Sequence, residues 1–327
     1  MGFALAVVLS FVPALLCALL LYWVDRYEKE PKRLLGVVFL WGASFAIVIA
    51  VVAEVVLQTA THVASGSAVL AEATGAVVFA PVTEEILKAL AVLLVFARLR
   101  SEFDSVLDGV IYAGTVALGF AATENTLYLY SGYIADGGEG LLQLFVLRVV
   151  LGIWNHPLYT SFFGIGLALS RLSRRWPVRF LAPLAGLCLA VAVHSLHNSL
   201  LTVSEGGLLP VVLLLDWLGW TFLATVIILA ARSEGRLVAR ELAEELDAGI
   251  LSPQQLQTAS SSLRRTLALG KSLGLRRVGT TVRFYQACAE LAHKKHQLTR
   301  VGDEDGTLKR VTELRDQLRE LSRSAVP

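Results

Sequence analysis

Seven long apolar runs, roughly 3–24, 34–57, 68–97, 106–130, 141–169, 180–201 and 208–231, decide what this chain can fold into. A helix needs about 20 apolar residues to cross about 30 Å of hydrocarbon. Lipid offers the backbone no hydrogen-bond partners, so a spanning segment must satisfy its own groups. Runs of this length without strand-like alternation specify helices. The expected fold is all-α, a polytopic membrane helix bundle of about seven spans. A mean hydropathy of +0.62 excludes an ordinary soluble globule. The first run is expected to be a retained span, because nothing basic precedes it and its apolar stretch is too long for a cleaved leader.

Basic residues divide the loops into two classes. The loop 25–33, "DRYEKEPKR", holds Arg26, Lys29, Lys32 and Arg33. Arg98 and Arg100 lie near the loop 98–105, and Arg171, Arg174, Arg175 and Arg179 in the loop 170–179. The alternate loops, around 58–67, 131–140 and 202–207, hold no Lys or Arg. Lys and Arg accumulate on the cytoplasmic side, which puts the N-terminus outside and the C-terminus in the cytoplasm. Trp23 and Trp176, at run ends, read as interface anchors.

Residues 232–327 are polar and form a second region, expected to be a small helical cytoplasmic tail below a membrane domain of residues 1–231. Ser252-Pro253 is a helix-start signal, Leu308, Val311, Leu314 and Leu318 have helical spacing, and "GDEDG" at 302–306 reads as a turn. The tail carries 17 Lys+Arg against 12 Asp+Glu. That excess suits an anionic membrane surface and is too small for nucleic-acid binding. Cys17, Cys188 and Cys288 are far apart, with neither a disulfide framework nor metal-site spacing.

Four runs carry ionisable groups where hydrocarbon should be. The third contains "PVTEEILKAL", with Glu84, Glu85 and Lys88 just beyond Pro81, which is placed to bend the helix. The fourth carries Phe120, Glu124 and Asn125, the fifth Arg148, Asn155 and His156, and the sixth His194, His197 and Asn198. At 1.5 Å per residue these groups fall ~20–27 Å from the inner edge, in one layer. A charge at a helix centre costs about 2.5 kcal/mol or more in lipid. A shared depth lets the groups meet in one wet cavity. His194, His197 and Asn198 share a helix face, and Glu84 and Lys88 are spaced for an ion pair. Glu84 and Glu85 are about 100° apart around the helix, so one should face the cavity and the other a flank. Glu54, Glu72 and Asp216 match nothing and read as packing or rim residues.

A carboxylate in such a layer can take a proton from water, an imidazole can protonate a leaving amine, and an asparagine amide can hold an oxyanion. The set therefore fits hydrolysis of an amide within the membrane. The same groups suit a divalent metal such as zinc, with His156, His194 and Glu124 as candidate ligands, although no His-Glu-x-x-His motif is present. Helix locking by Glu84–Lys88 and interhelical packing of His156 are the structural alternatives. Midplane charges also mark proton- or ion-coupled transporters, and a noncatalytic scaffold with a recruiting tail is a third class.

In the order "DRYEKEP", "EEILK", "FAATEN", His156 and "HSLHN", the chain resembles the PrsW family of intramembrane proteases, within the CAAX-endopeptidase/Abi superfamily. The resemblance covers about residues 25–200. It implies a multi-pass protease of the bacterial plasma membrane that cleaves membrane-embedded proteins such as anti-sigma factors. It also implies that Glu84, Glu85 and His194 are catalytic, with Glu124 and His156 as further site residues. Lys88, Asn125, His197 and Asn198 are supporting residues, and either Glu84 or Glu85 is the base.

Overall fold

The computed structural model describes residues 1–325 except Arg26, Glu28, 101–102, 205–206 and 304–305. The loop cation Arg26, the centre of the 302–306 turn and the middle of the 202–207 loop lie outside the described residues. The fold is an all-α helical bundle, with no strand among the described residues.

The apolar runs become α1 (Gly2–Val24), α2 (Lys32–Leu40) continuing into α3 (Ile47–Ser65), α4 (Ala68–Thr74) continuing into α5 (Ala80–Arg98), α6 (Val106–Leu144), α7 (Asn155–Leu172), α8 (Trp176–Val203) and α9 (Leu209–Glu241). Among the described residues, five continuous helical segments are long and apolar enough to span a membrane. One of these, Val106–Leu172, would be ~100 Å long if straight. It instead reverses at Asp136 and Gly137, where φ reaches +64° at the glycine. α5 is apolar but carries Glu84, Glu85 and Lys88 within its 19 residues.

Three wide π-helical turns, Trp41–Ala46, Gly75–Phe79 and Phe145–Val150, interrupt these helices. Pro81 sits at the start of α5, just after a π turn, where a missing N–H is tolerated. The π turns also expose carbonyls to other helices. Thr123 Oγ1 donates to Ala43 O at 2.6 Å, and Asn198 Nδ2 donates to Ala76 O at 2.9 Å.

α6 is buried on every side from Leu107 to Ala122, so it forms the axis of its unit. Its neighbours approach it through glycine. A Cβ on Gly119 would lie 2.0 Å from Phe39 O, and one on Gly164 would lie 2.0 Å from Gly109 O. Small residues allow such backbone proximity, which is how membrane helices gain packing contact. The other helices expose leucines and valines, such as Leu16, Val52 and Leu184, as a lipid-facing surface requires.

The chain divides into two compact units. One comprises Met1–Trp23 and Glu30–Val226, and the other Val24–Lys29 and Ile227–Pro327. The second unit contains the end of α9 with α10 (Ala243–Asp247), α11 (Pro253–Ala259), α12 (Ser262–Gly274), α13 (Val278–Val301) and α14 (Thr307–Leu321). Ser252 caps α11 through a capping box with Gln255. Leu242, Phe284, Cys288, Leu291, Leu314 and Leu318 form a buried core.

Of the described residues in "DRYEKEP", Asp25, Tyr27 and Glu30 are buried. Tyr27 is buried in the core of the second unit and donates to Ser260 O at 3.1 Å. Burial there raises the pKa of its phenol above the usual value. Within the first unit, Glu30 is buried and accepts a hydrogen bond from Tyr112.

Candidate active site

Lys88 is the centre of the polar layer. It projects from α5 and is 0% exposed. Its Nζ donates to Glu84 Oε2 at 3.1 Å, to Glu85 Oε1 at 2.7 Å and to His156 Nδ1 at 3.0 Å. It also lies 4.3 Å from the centre of the Phe120 ring, a cation–π contact. Lysine's long side chain, three and four residues downstream, places its ammonium between both carboxylates. The two glutamates still differ in setting. Glu84 lines the cavity, whereas Glu85 lies behind it and is fully occupied.

Glu85 receives three side chains. Oε1 accepts from Lys88 and from His194 Nδ1 at 3.1 Å, and Oε2 accepts from Thr160 Oγ1 at 2.8 Å. Of Glu84's two oxygens, only Oε2 has a hydrogen-bond partner among the described residues.

Each imidazole in this layer has a carboxylate. His156 Nδ1 accepts from Lys88, so its Nε2–H donates to Glu124 Oε2 at 2.8 Å. His194 Nδ1–H donates to Glu85, which leaves its Nε2 available. His197 Nδ1 pairs with Asp216 Oδ1 at 3.0 Å. A carboxylate partner fixes an imidazole's tautomer and ring orientation. Tyr159 stacks on His194 with ring centres 4.7 Å apart and holds that ring from a second side.

Glu124 is also bound by Arg148 Nη2 at 2.7 Å, and Arg148 Nε donates to Asn125 Oδ1 at 3.0 Å. Asn198 uses its amide on Ala76 O. Glu84, Glu124, Arg148, Asn198 and the three histidines line a cavity of about 700 Å³ between helices of the first unit. The spacing of Glu124 and His156 brings them together, as their common depth predicted.

Residues that matched nothing in the sequence turn out to matter. Asp216 on α9 accepts from Asn155 Nδ2 at 3.0 Å as well as from His197, and Trp220 Nε1 donates to Asn155 Oδ1 at 2.9 Å. Glu54 and Glu72 line the cavity, and Glu54 accepts from Thr83 at 3.3 Å. A lone acid in an apolar run was the available signal for each. The partner residues lie on other helices, so spacing alone did not reveal the pairings.

Ligand atoms from Glu84, Glu85, His156 and His194 all lie within 4.8 Å of one another. Two carboxylates and two imidazoles are donors that zinc accepts. The ammonium of Lys88 marks the point on which three of the four converge, so the donor set fits a cation. Glu124 stands outside this group, on the far side of His156.

The comparisons point the same way. The family model described as PrsW family intramembrane metalloprotease matches residues 30–232. Protease PrsW of Geobacillus kaustophilus (strain HTA426) is 32% identical over 143 residues, covering 44% of this chain and 56% of that protein. Protease PrsW of Clostridioides difficile (strain 630) is 31% identical over 160 residues, 48% of this chain and 62% of the relative. For Protease PrsW of Bacillus subtilis (strain 168) the values are 27% over 202 residues, 61% and 84%. The chain thus spans little more than half the length of the first two relatives. No solved structure matches it. The matched residues include every glutamate and histidine of the cavity, and the chain belongs to the PrsW family of intramembrane metalloproteases.

Proposed function

We propose that this protein is an intramembrane endopeptidase that hydrolyses membrane-embedded protein substrates, anti-sigma-factor-like proteins among them. The observation that carries this reading is the convergence of Glu84, Glu85, His156 and His194 within 4.8 Å, buried beside a polar cavity. Glu84 is the general base: its carboxylate lines the cavity and has one free oxygen, whereas Glu85 is bound by three side chains. Glu85 orients His194 through its Nδ1–H, and Glu84, once it has taken a proton from water, passes that proton to the leaving amine. Glu124 keeps His156 in its Nε2–H tautomer. Arg148 neutralises Glu124, and Asn125 holds Arg148 in place. Asn198 lines the cavity and fixes α8 on the π turn through Ala76, so any oxyanion contact uses its second N–H.

Glu85, His156 and His194 would hold the metal implied by the family, leaving Glu84 as the base and one position open for water, with zinc the ion best suited to this donor set. A bound zinc would polarise the scissile carbonyl and acidify a water. His156 Nδ1 becomes available only when Lys88 turns away from it. The protease-like region is residues 1–231, with the N-terminus outside, and residues 232–327 are a cytoplasmic helical tail.

The test is coexpression of tagged single-span candidate substrates with wild type, Glu84→Gln and Glu85→Gln. Loss of a general base lowers cleavage ~10²-fold or more. Equal fragment yield from wild type and both variants would rule the assignment out.

A further inference from the structure

The tail contains a stretch that the proteolytic reading does not use. Between Asp247 and Glu290 the chain has no acidic residue and carries Arg264, Arg265, Lys271, Arg276, Arg277 and Arg283. Arg265 turns inward and donates to Tyr285 O at 2.7 Å, while the other five are exposed.

α12 lies at the centre of this stretch and is two-faced. Ala268 and Ser272 are buried in the second unit. On the opposite side Leu263 is 69% exposed, Leu267 58%, Leu273 68%, and Leu275, just beyond the helix, 58%. Leu263 and Leu267 are one turn apart, and Gly270 and Gly274 continue their stripe without bulk. Arg264 and Lys271 border one side of that stripe, about 60–80° from its centre, and Arg276 and Arg277 close its end. Four exposed leucines in a 13-residue segment are unusual for a surface left in water. A leucine stripe bordered by cations is the pattern of a helix lying in a membrane interface, its apolar face among acyl chains and its basic side chains reaching phosphates.

We propose that the exposed face of α12 docks on an anionic lipid surface. The absence of any carboxylate from 248–289 makes the charge complementarity specific, since an acidic residue there would oppose it. α9 runs unbroken from the last apolar run to Glu241, so the tail is tethered to the bilayer by the chain itself. The tether raises the local concentration of the α12 face at the membrane. Each cation near an anionic leaflet contributes roughly a fivefold preference.

The experiment uses the full chain in nanodiscs. Leu267→Cys is labelled with an environment-sensitive dye after Cys17, Cys188 and Cys288 are replaced by alanine. Discs contain either phosphatidylcholine alone or phosphatidylcholine with phosphatidylglycerol, with and without brominated acyl chains. The expected result is blue-shifted emission quenched by bromolipid in the phosphatidylglycerol discs. Replacing Arg264, Lys271, Arg276 and Arg277 by glutamine, all exposed, should lower the docked fraction at least ~10-fold. Amide exchange over 262–274 in the otherwise unaltered chain should slow in the anionic discs. Identical emission and exchange in both lipids would overturn the proposal. So would emission that follows the number of chains per disc rather than the lipid, since that would assign the face to a second copy.

Discussion

Replacing Lys88 with methionine tests the architecture of the site most directly. The ammonium lies 3.1 Å from Glu84 and 2.7 Å from Glu85 and is wholly buried. With an effective dielectric of 20, each contact is a gross attraction of ~5–6 kcal/mol. Desolvation of all three groups offsets most of that. Removing one member of a buried ionic group nevertheless costs about 3–5 kcal/mol, because the remaining charges lose their compensation. Here the variant leaves Glu84, Glu85 and Glu124 in one layer with only Arg148 as a fixed cation. Unfolding followed by tryptophan emission in detergent, with chelator present, should show a midpoint about 6 °C or more below wild type. Lys88→Arg should lose less, since it keeps the charge. Combining Glu84→Gln with Lys88→Met should cost less than the sum of the two single changes, because it removes a charge together with its partner. A methionine variant that melts with wild type would refute the view that the ammonium holds these carboxylates together.

Other perturbations address separate parts of the fold. Asp216→Asn removes the charge that orients His197 and should reduce substrate cleavage by less than the ~10-fold expected for losing an outer partner of a metal-site histidine, since His197 is not among the four converging donors; in the same sample Trp220 emission reports whether α9 has shifted. Gly164→Val places a branched side chain where even a Cβ would collide with Gly109 O, and it should abolish a sharp unfolding transition in detergent. Leu314→Ala, at a 0% exposed position, should destabilise the tail by about 2–5 kcal/mol in chemical denaturation. Burial pushes the Cys288 thiol up to about 12 from 9.0. Its neutral form is favoured by folding, so tail stability should fall as pH rises from about 9 toward 12, and maleimide at pH 8 should label Cys288 only after unfolding.

The depth of the polar groups was legible because hydrocarbon tolerates so few of them. Counting residues from the basic loops put Glu84, Glu124, His156 and His194 in one layer, and the structure joins all four through Lys88 and Glu85. Helix faces were legible too, as in Glu84 with Lys88. What remained hidden was pairing between helices. His197 shares a face with His194, yet its carboxylate is Asp216 on α9, whose single charge carries no pattern. Arg148 was visible on the His156 face, but its link to Glu124 depends on the reversal at Gly137. The π turns left no mark in the hydropathy. The burial of Tyr27 was also hidden, because a charged stretch after a span normally stays in water, whereas the core of the second unit supplies a buried site for its ring.

The wide turns at 41–46 and 75–79 have a consequence for assembly. Each presents a carbonyl that accepts a hydrogen bond from a side chain of a distant helix, Thr123 to Ala43 and Asn198 to Ala76. A helix slipped by one residue or rotated by a sixth of a turn would break these links and leave the hydroxyl or the amide without its carbonyl. Axial register is thereby set by a few point-to-point links, leaving the leucines and valines around them free to vary.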